Sequence, residues 1–538
     1  MFYPVKQKGI IQTFLVLFFF FFLLNAKTGN QDNVYKICEY RLFVYLMVWS
    51  VLSMLFKWFN AKCELCIIIL IMLWTGLEVI TGYMQIYGHS QSNNLLFILT
   101  GSFKNPGPYG GFLTSCMCVL ASWVLKEREK CNLLVSIIRY LCVIVTIFAF
   151  ILIVSTHSRA SILSLCTCLF FLSLTNKKNR YFLRKYKALF ILIGLTGGIL
   201  GFYLKKDSAI GRVMTDKISI LTICKNVHKG AGLGHFPGAY ANTQMDYFSN
   251  HINIKDGNLF IDESIVMERQ HVGSPVYAFN DILQIGVEAG LITMLLYVIV
   301  VVYSFIKLYR KRSPFAYGLL SIVVFGFFSY PLFLWQFQFL LVIYMSSISL
   351  FDETQMRFPL IITSILSFVF ICVNYKTMDN MRRMYNEWQT DRYFYNIKEY
   401  ELYADYCNDK AGYLYFDNEY MLEYAYSLSE IGQVNKSDSI LKEVQGTNNT
   451  PRALLLLGDN SVKLGNYYDA EQYYSQAFLM FPDRLTPLYK LAKLYYAQQD
   501  TLAFNNMARS IEQFHPRIES PSTDVLRFEI KQLKDNKY

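Results

Sequence analysis

The sequence predicts an all-α protein: a polytopic bundle of membrane-spanning helices, with one large outward-facing loop and a helical-repeat domain at its C-terminal end. Three observations carry that prediction. The 538 residues are 54% hydrophobic and only 17% charged, too apolar for a soluble chain of this size. Apolar runs of near-spanning length recur as far as about residue 374. Beyond that point the chain becomes Tyr-rich, charged and repetitive.

The apolar runs lie at about 10–25, 41–57, 64–82, 109–125, 133–155, 160–175, 188–204, 280–306, 315–330, 333–350 and 358–374. A helix needs roughly 17–25 apolar residues to cross a hydrocarbon core of about 30 Å, so about 11 spans are expected. The 160–175 run is the shortest. The first, rich in Phe, reads as a retained span, because Leu24-Asn25-Ala26 is a poor small-residue cleavage site.

Orientation follows from the basic residues of the short loops. Lys177, Lys178, Arg180, Arg184, Lys185 and Lys187 share one loop that has no acid. Lys307, Arg310, Lys311 and Arg312 mark a second, and Lys126, Arg128 and Lys130 a third, while Lys6 and Lys8 precede the first span. Placing all four in the cytoplasm agrees with strict alternation across eleven spans. The N-terminus is then cytoplasmic, and the loop at about 205–279 and everything after 375 face outward. Two domains are expected, a membrane domain over 1–375 and a helical domain over 376–538. The net charge of +11 is explained largely by the cytoplasmic loops, so no nucleic-acid partner is needed to account for it.

Twelve cysteines are present, nearly all in or beside spans, where Cys behaves as a small hydrophobe. Cys63-Glu64-Leu65-Cys66 has CxxC spacing, but no second pair or His cluster accompanies it, so no metal site is expected. Cys407 is alone in the tail, which gives no disulfide framework.

In the tail, Leu454 to Pro482 has tetratricopeptide spacing. Gly458, Ala470, Tyr474, Ala477 and Pro482 take the small, small, aromatic, small and proline positions. A shift of 34 residues gives Ala492, Tyr495 and Pro516, and a weaker copy begins near Tyr424-Ala425. Such repeats bind or space rather than catalyse. Here they either cap the membrane domain or dock a protein partner.

Candidate chemistry lies at the outer ends of the spans. Ser155 to Ala160 separates two apolar runs, and Arg159 there is costly unless it is paired or faces a wet cavity; the plainer reading is a snorkelling arginine. Arg212 follows a span on the same face. Two guanidiniums on one side can grip a diphosphate, because their fork matches phosphate oxygens and their charge does not titrate away. Gly230-x-Gly232-x-Gly234 lacks the strand and the Lys-Ser/Thr of a nucleotide loop, so a tight turn at the membrane surface is expected. His228 and His235 read as structural. Asp281, Gln284 and Glu288 stand at i, i+3 and i+7, on one helix face. They form either a hydrogen-bonded helix contact or a functional carboxylate site, in which one carboxylate takes the proton of an attacking hydroxyl.

In this order the residues resemble the O-antigen ligase and polymerase superfamily, including the protein O-oligosaccharyltransferases. Gly101-Ser102-Phe103-Lys104-Asn105-Pro106 is similar to the family's early Asn-Pro element, and Ser158-Arg159-Ala160 to its Ser-Arg-Gly/Ala motif. Gly211-Arg212 and Gly232-x-Gly234-x-Phe236 resemble the start of its periplasmic loop. Phe279-Asn280, nine residues, then Gly290 resembles its His-Asn…Gly element, and Tyr330-Pro331 with Trp335 to Tyr344 its closing spans. Two departures stand out: Phe279 occupies the usual His position, and Thr293 replaces the element's terminal Gly.

The resemblance implies a multi-pass protein of the bacterial inner membrane with a periplasmic C-terminal domain. It implies transfer of a glycan from a polyprenyl-diphosphate carrier, such as undecaprenyl diphosphate, to an acceptor hydroxyl on lipid A core, a growing polysaccharide or a protein. Neither nucleotide, metal nor other cofactor is implied. Arg159 and Arg212, with Arg269 third, would hold the diphosphate. Glu288, Asp281 or His271 would serve as base in place of the missing imidazole, supported by Ser158, Asn280, Gly232 and Gly234. Two other classes compete: a transporter or permease, for which paired broken helices around midplane charges are not seen, and a membrane-anchored repeat scaffold, for which eleven spans are excessive.

Overall fold

The structure, a computed structural model, describes residues 33–126, 132–175, 206–351, 357–415 and 417–535. The first described helices are α1 (Asn33–Phe59), α2 (Ala61–Ile86), α3 (Pro106–Leu125), α4 (Leu133–Ser155) and α5 (Arg159–Ser173). The loop expected between spans folds into α6 (Lys206–Lys225), α7 (Phe236–Ser249), a hairpin of β1 (Ile252–Lys255) and β2 (Asn258–Ile261), and α8 (Val266–His271). Then come α9 (Asp281–Arg310), α10 (Phe315–Gly326), α11 (Trp335–Ser346) and α12 (Arg357–Asn396). The tail adds α13 (Tyr400–Leu414), α14 (Asn418–Glu430), α15 (Val434–Asn448), α16 (Pro451–Lys463), α17 (Tyr467–Met480), α18 (Thr486–Ala497), α19 (Thr501–Gln513) and α20 (Pro521–Asp535).

The chain is all-α apart from the antiparallel hairpin, which the sequence reading did not anticipate. Its turn is Asp256-Gly257, both at positive φ, the signature of a two-residue hairpin. Six described helices, α1, α2, α3, α4, α9 and α12, are long and apolar enough to cross a membrane, whereas α5, α10 and α11 are shorter. The expected spans at 10–25 and 188–204 lie outside the described residues.

Glycine decides the closest helix approaches in the bundle. α3 is its most enclosed long helix, buried over 83% of its most apolar window. Gly111 lies against Phe325 of α10, whose ring carbons would stand 2.7 Å from an added Cβ. Gly110 lies against the start of α5, where a Cβ would stand 2.8 Å from the Thr156 hydroxyl. α1 packs antiparallel on α12, with Phe43 stacked on Phe370 at 4.0 Å and the Ser50 and Ser364 hydroxyls 2.7 Å apart.

The composition change near residue 375 is not a break in the fold. α12 is a single helix of 40 residues that continues through it. Beyond it, α14–α15, α16–α17 and α18–α19 form successive helix pairs, with Tyr474 lying over Gly458 where no Cβ would fit. These pairs share a core with the loop: Met214, Ile218, Phe236 and Phe248 pack in one cluster with Phe478, Leu491, Phe504 and Met507. Ala241 of α7 joins a second cluster with Trp388, Tyr403, Tyr424 and Leu457. The hairpin tip rests on α19, where the Asn506 amide donates to the Asp256 carbonyl at 3.0 Å. Loop 206–279 and the tail therefore form one packed body on one side of the bundle.

Candidate functional site

Several helices begin on the side of the bundle that carries this body. α3 starts at Asn105, whose side chain accepts the Gly107 N–H at 2.9 Å. α5 starts at Ser158, which accepts the Ser161 N–H at 3.3 Å. The Ser161 hydroxyl lies 2.8 Å from that of Ser158 and 3.3 Å from the Gly107 carbonyl, which joins the two starts. Ser158 is therefore a cap, and Arg159 is the first helical residue beyond it. Asn280 caps α9 by accepting the N–H groups of Ile282 and Leu283 at 3.1 and 3.3 Å. The residues just before the two caps, His157 and Phe279, hold positive φ of 49° and 54°. For a bulky Phe this is a strained conformation.

Arg212 lies against Phe279, the residue before the α9 cap. It is half-buried on α6, with Nη1 donating to the Phe328 carbonyl at 2.8 Å and the guanidinium carbon 5.5 Å from the centre of the Phe279 ring. Burial and then the neighbouring positive charge of Arg159 pull its pKa down, while Asp216 acts in the opposite direction. The two arginines that the sequence placed on one face are thus close enough to feel each other. Asp216 stands one turn further along α6, at i+4, where burial pushes its carboxyl up to about 6 against the pull of Arg212. Sequence reading missed Asp216. The signal is present, since Arg-x-x-x-Asp within a helix puts both groups on one face, but the weak apolarity of the segment hides the helix.

The glycine-rich segment does not cradle a phosphate; it repairs a broken helix. Gly290 has φ 83° and ψ 168°, which interrupts α9. A regular helix would bond the Val287 and Glu288 carbonyls to N–H groups four residues on. Instead the Ala231 and Gly232 N–H groups donate to them, at 2.7 and 2.9 Å, and the Leu291 N–H donates to the Val227 carbonyl at 3.1 Å. Gly230, Gly232 and Gly234 all adopt positive φ, consistent with the expected tight turn. The segment then delivers the Gly234 and Phe236 N–H groups to the Glu288 carboxyl. Glu288 thus sits at the positive end of α7, whose cap residue His235 makes no side-chain capping bond.

Asp281, Gln284 and Glu288 share a face, as their spacing required. Gln284 accepts the Ala278 N–H at 2.7 Å and donates to Glu288 at 2.8 Å. All three line a cavity of about 440 Å³ between α1, α9 and α11, which neither Arg159 nor Arg212 lines.

Arg269, expected as a third phosphate ligand, faces the tail instead, and His271, expected as a base, is held within the loop. Arg269 is buried, and its guanidinium donates to the carbonyls of Pro482 and His515, both at 3.0 Å, lies 3.6 Å from Asp483 and covers the Phe514 ring at 4.5 Å. His271 lies 2.7 Å from the Met267 carbonyl and 3.5 Å from Asp207, which also pairs with Arg517 at 3.1 Å. The Arg269 contacts bind the loop to the tail, and Asp207 adds a second link through Arg517.

Arg159 and Arg212 therefore interact electrostatically, and Asp216 and Phe279 join Arg212. The described geometry assigns Ser158 and Asn280 to caps, Gly232 and Gly234 to the helix repair, and Asp281 and Glu288 to a separate cavity. The chain matches no family model, no curated protein and no solved structure.

Proposed function

We propose that the chain is a glycan-transferring membrane enzyme of the O-antigen ligase and polymerase kind, working at the periplasmic face of a bacterial inner membrane. The observation that carries this reading is that Arg159, the first residue of a capped helix, and Arg212 interact as like charges. Both charges, with the partial positive charge of nearby helix N-termini, favour a bound anion. A polyprenyl diphosphate supplies such an anion on a membrane-embedded chain. The acceptor is a hydroxyl on lipid A core, polysaccharide or protein. The helix pairs of the tail are read as tetratricopeptide repeats that hold the loop in place.

In the proposed reaction the acceptor hydroxyl attacks the anomeric carbon of the donor sugar. The bond from that carbon to the diphosphate oxygen breaks, and the carrier departs as polyprenyl diphosphate. Arg159 and Arg212 stabilise the charge that grows on the leaving oxygen. The hydroxyl proton passes to the Asp216 carboxylate, which stands beside Arg212. Phe279 carries no proton; it packs against Arg212 and fixes that guanidinium. Asp216 is a better base in this scheme than Glu288, whose carboxyl is held by backbone N–H groups, or His271, which is held by Met267 and Asp207.

The test is release of polyprenyl diphosphate by the purified protein in nanodiscs, supplied with a polyprenyl-diphosphate oligosaccharide and an acceptor. Arg212→Ala is expected to lower the rate by about 10²-fold or more at unchanged protein level. Arg212→Lys is expected to recover little, because an ammonium cannot form the fork. Full activity of Arg212→Ala at normal expression removes the proposal.

A further inference from the structure

We propose that the cavity between α1, α9 and α11 binds a single-chain amphiphile whose head group donates a hydrogen bond. This site goes beyond the glycan-transfer reading and shares no arginine with it. Its volume of about 440 Å³ falls within the range of ligand pockets, roughly 300–1,000 Å³. Leu42 and Trp49 of α1, Val301 of α9, and Val342 and Met345 of α11 give it apolar walls suited to an alkyl chain.

One end is polar and incompletely satisfied. Asp281 is only 4% exposed, and its Oδ1 accepts no hydrogen bond among the described residues. Its carboxyl does receive the Leu332 N–H. Buried polar atoms without partners are rare and call for an explanation, such as a missing ligand. Glu288 also lines the cavity, already held by Gln284 and by the Gly234 and Phe236 N–H groups. Arg41 of α1 also borders the cavity. Two carboxyls and one guanidinium thus border the cavity. A hydroxyl or ammonium head can donate to Asp281 Oδ1, whereas an ionised carboxylate or phosphate head has no proton to give.

The experiment uses the full chain in phosphatidylcholine nanodiscs and three diazirine probes of equal chain length: a hexadecyl alcohol, amine and carboxylic acid. Photolabelled residues are mapped by mass spectrometry. The expected result is labelling of α1 and α11 at the cavity by the alcohol, the amine or both, at least tenfold above the acid. Alcohol alone identifies a hydroxyl head and amine alone an ammonium head. Asp281→Asn should reduce amine labelling at least fivefold, and Val342→Trp, which fills the cavity, should reduce labelling by every favoured probe. Arg212→Ala should label like the unchanged protein, which separates this result from the fate of the transfer reading. Equal labelling by all three probes, a preference for the acid, or undiminished labelling in Val342→Trp overturns the proposal.

Discussion

Gly230 and Gly290 meet backbone to backbone. A Cβ on Gly230 would stand 2.6 Å from the Gly290 nitrogen, and one on Gly290 would stand 2.9 Å from the His228 carbonyl oxygen. Both residues hold positive φ, 67° and 83°. That contact lets the loop take over the hydrogen bonds that α9 gives up, and it aims the Gly234 and Phe236 N–H groups at Glu288.

Gly230→Ala and Gly290→Ala should each therefore destabilise the protein, by about 1–3 kcal/mol for backbone strain and more where the backbones must part. Thermal unfolding in detergent measures this, with Gly273→Ala as control because nothing lies within 4 Å of its Cβ position. A control that falls as far as the two variants would refute the contact.

The carboxyl of Asp216, pushed up to about 6 by burial from its ordinary 3.8, makes two linked expectations. Its folded-state pKa lies above the unfolded one, so the folded chain binds the proton more tightly between those values. The stability it contributes is fully present below the unfolded pKa and is lost as pH rises through about 6. Transfer, by contrast, needs the ionised form and should rise across the same window. Asp216→Asn should flatten the stability profile, slow transfer by about 10²-fold or more and remove the acid limb of the rate profile. An unchanged acid limb in that variant assigns the proton to another group.

Arg269 joins loop to tail through two carbonyls, an aspartate and an aromatic face. Arg269→Ala leaves Asp483 half-buried without that partner, at a cost on the order of 3 kcal/mol. Hydrogen exchange should quicken together in 206–271 and 482–515. Arg269→Lys should restore little, having no planar fork to reach both carbonyls. Exchange that stays protected in the alanine variant would contradict the dock.

Because loop and tail share one core, both must face the same side of the membrane. Cys224 is exposed on α6, and Ser522→Cys would place a thiol at the exposed start of α20. A membrane-impermeant maleimide should reach both in intact spheroplasts, with Cys224→Ser as control. Labelling of either only after permeabilisation would reverse the orientation drawn from Lys307 to Arg312 and the other basic loops.

Helix identity was legible wherever apolarity was sustained, as in Leu133–Ser155 and Asp281–Arg310, because a helix is the local solution that satisfies its own backbone in an apolar medium. The 34-residue spacing likewise announced the pairs α16–α17 and α18–α19. The shared face of Asp281, Gln284 and Glu288 followed from period alone. Three features were not legible. The glycines of 230–234 resembled a surface turn because the helix break they repair lies some sixty residues away. Arg269 looks like a loop residue free for substrate, because its partners, Pro482 and His515, are more than two hundred residues distant. Asp216 is hidden because a charged, weakly apolar segment does not announce the helix α6.

By itself the sequence determined which segments become apolar helices, which loops are basic, and which side chains share a helical face, since each of these depends on neighbours within a few residues. The tertiary structure alone decides that the loop and the tail helices share one core, that Arg212 interacts with Arg159, and that Asp281 and Glu288 line a separate cavity. Those outcomes depend on contacts between distant segments, where burial and charge are set by what packs alongside rather than by what comes next in the chain.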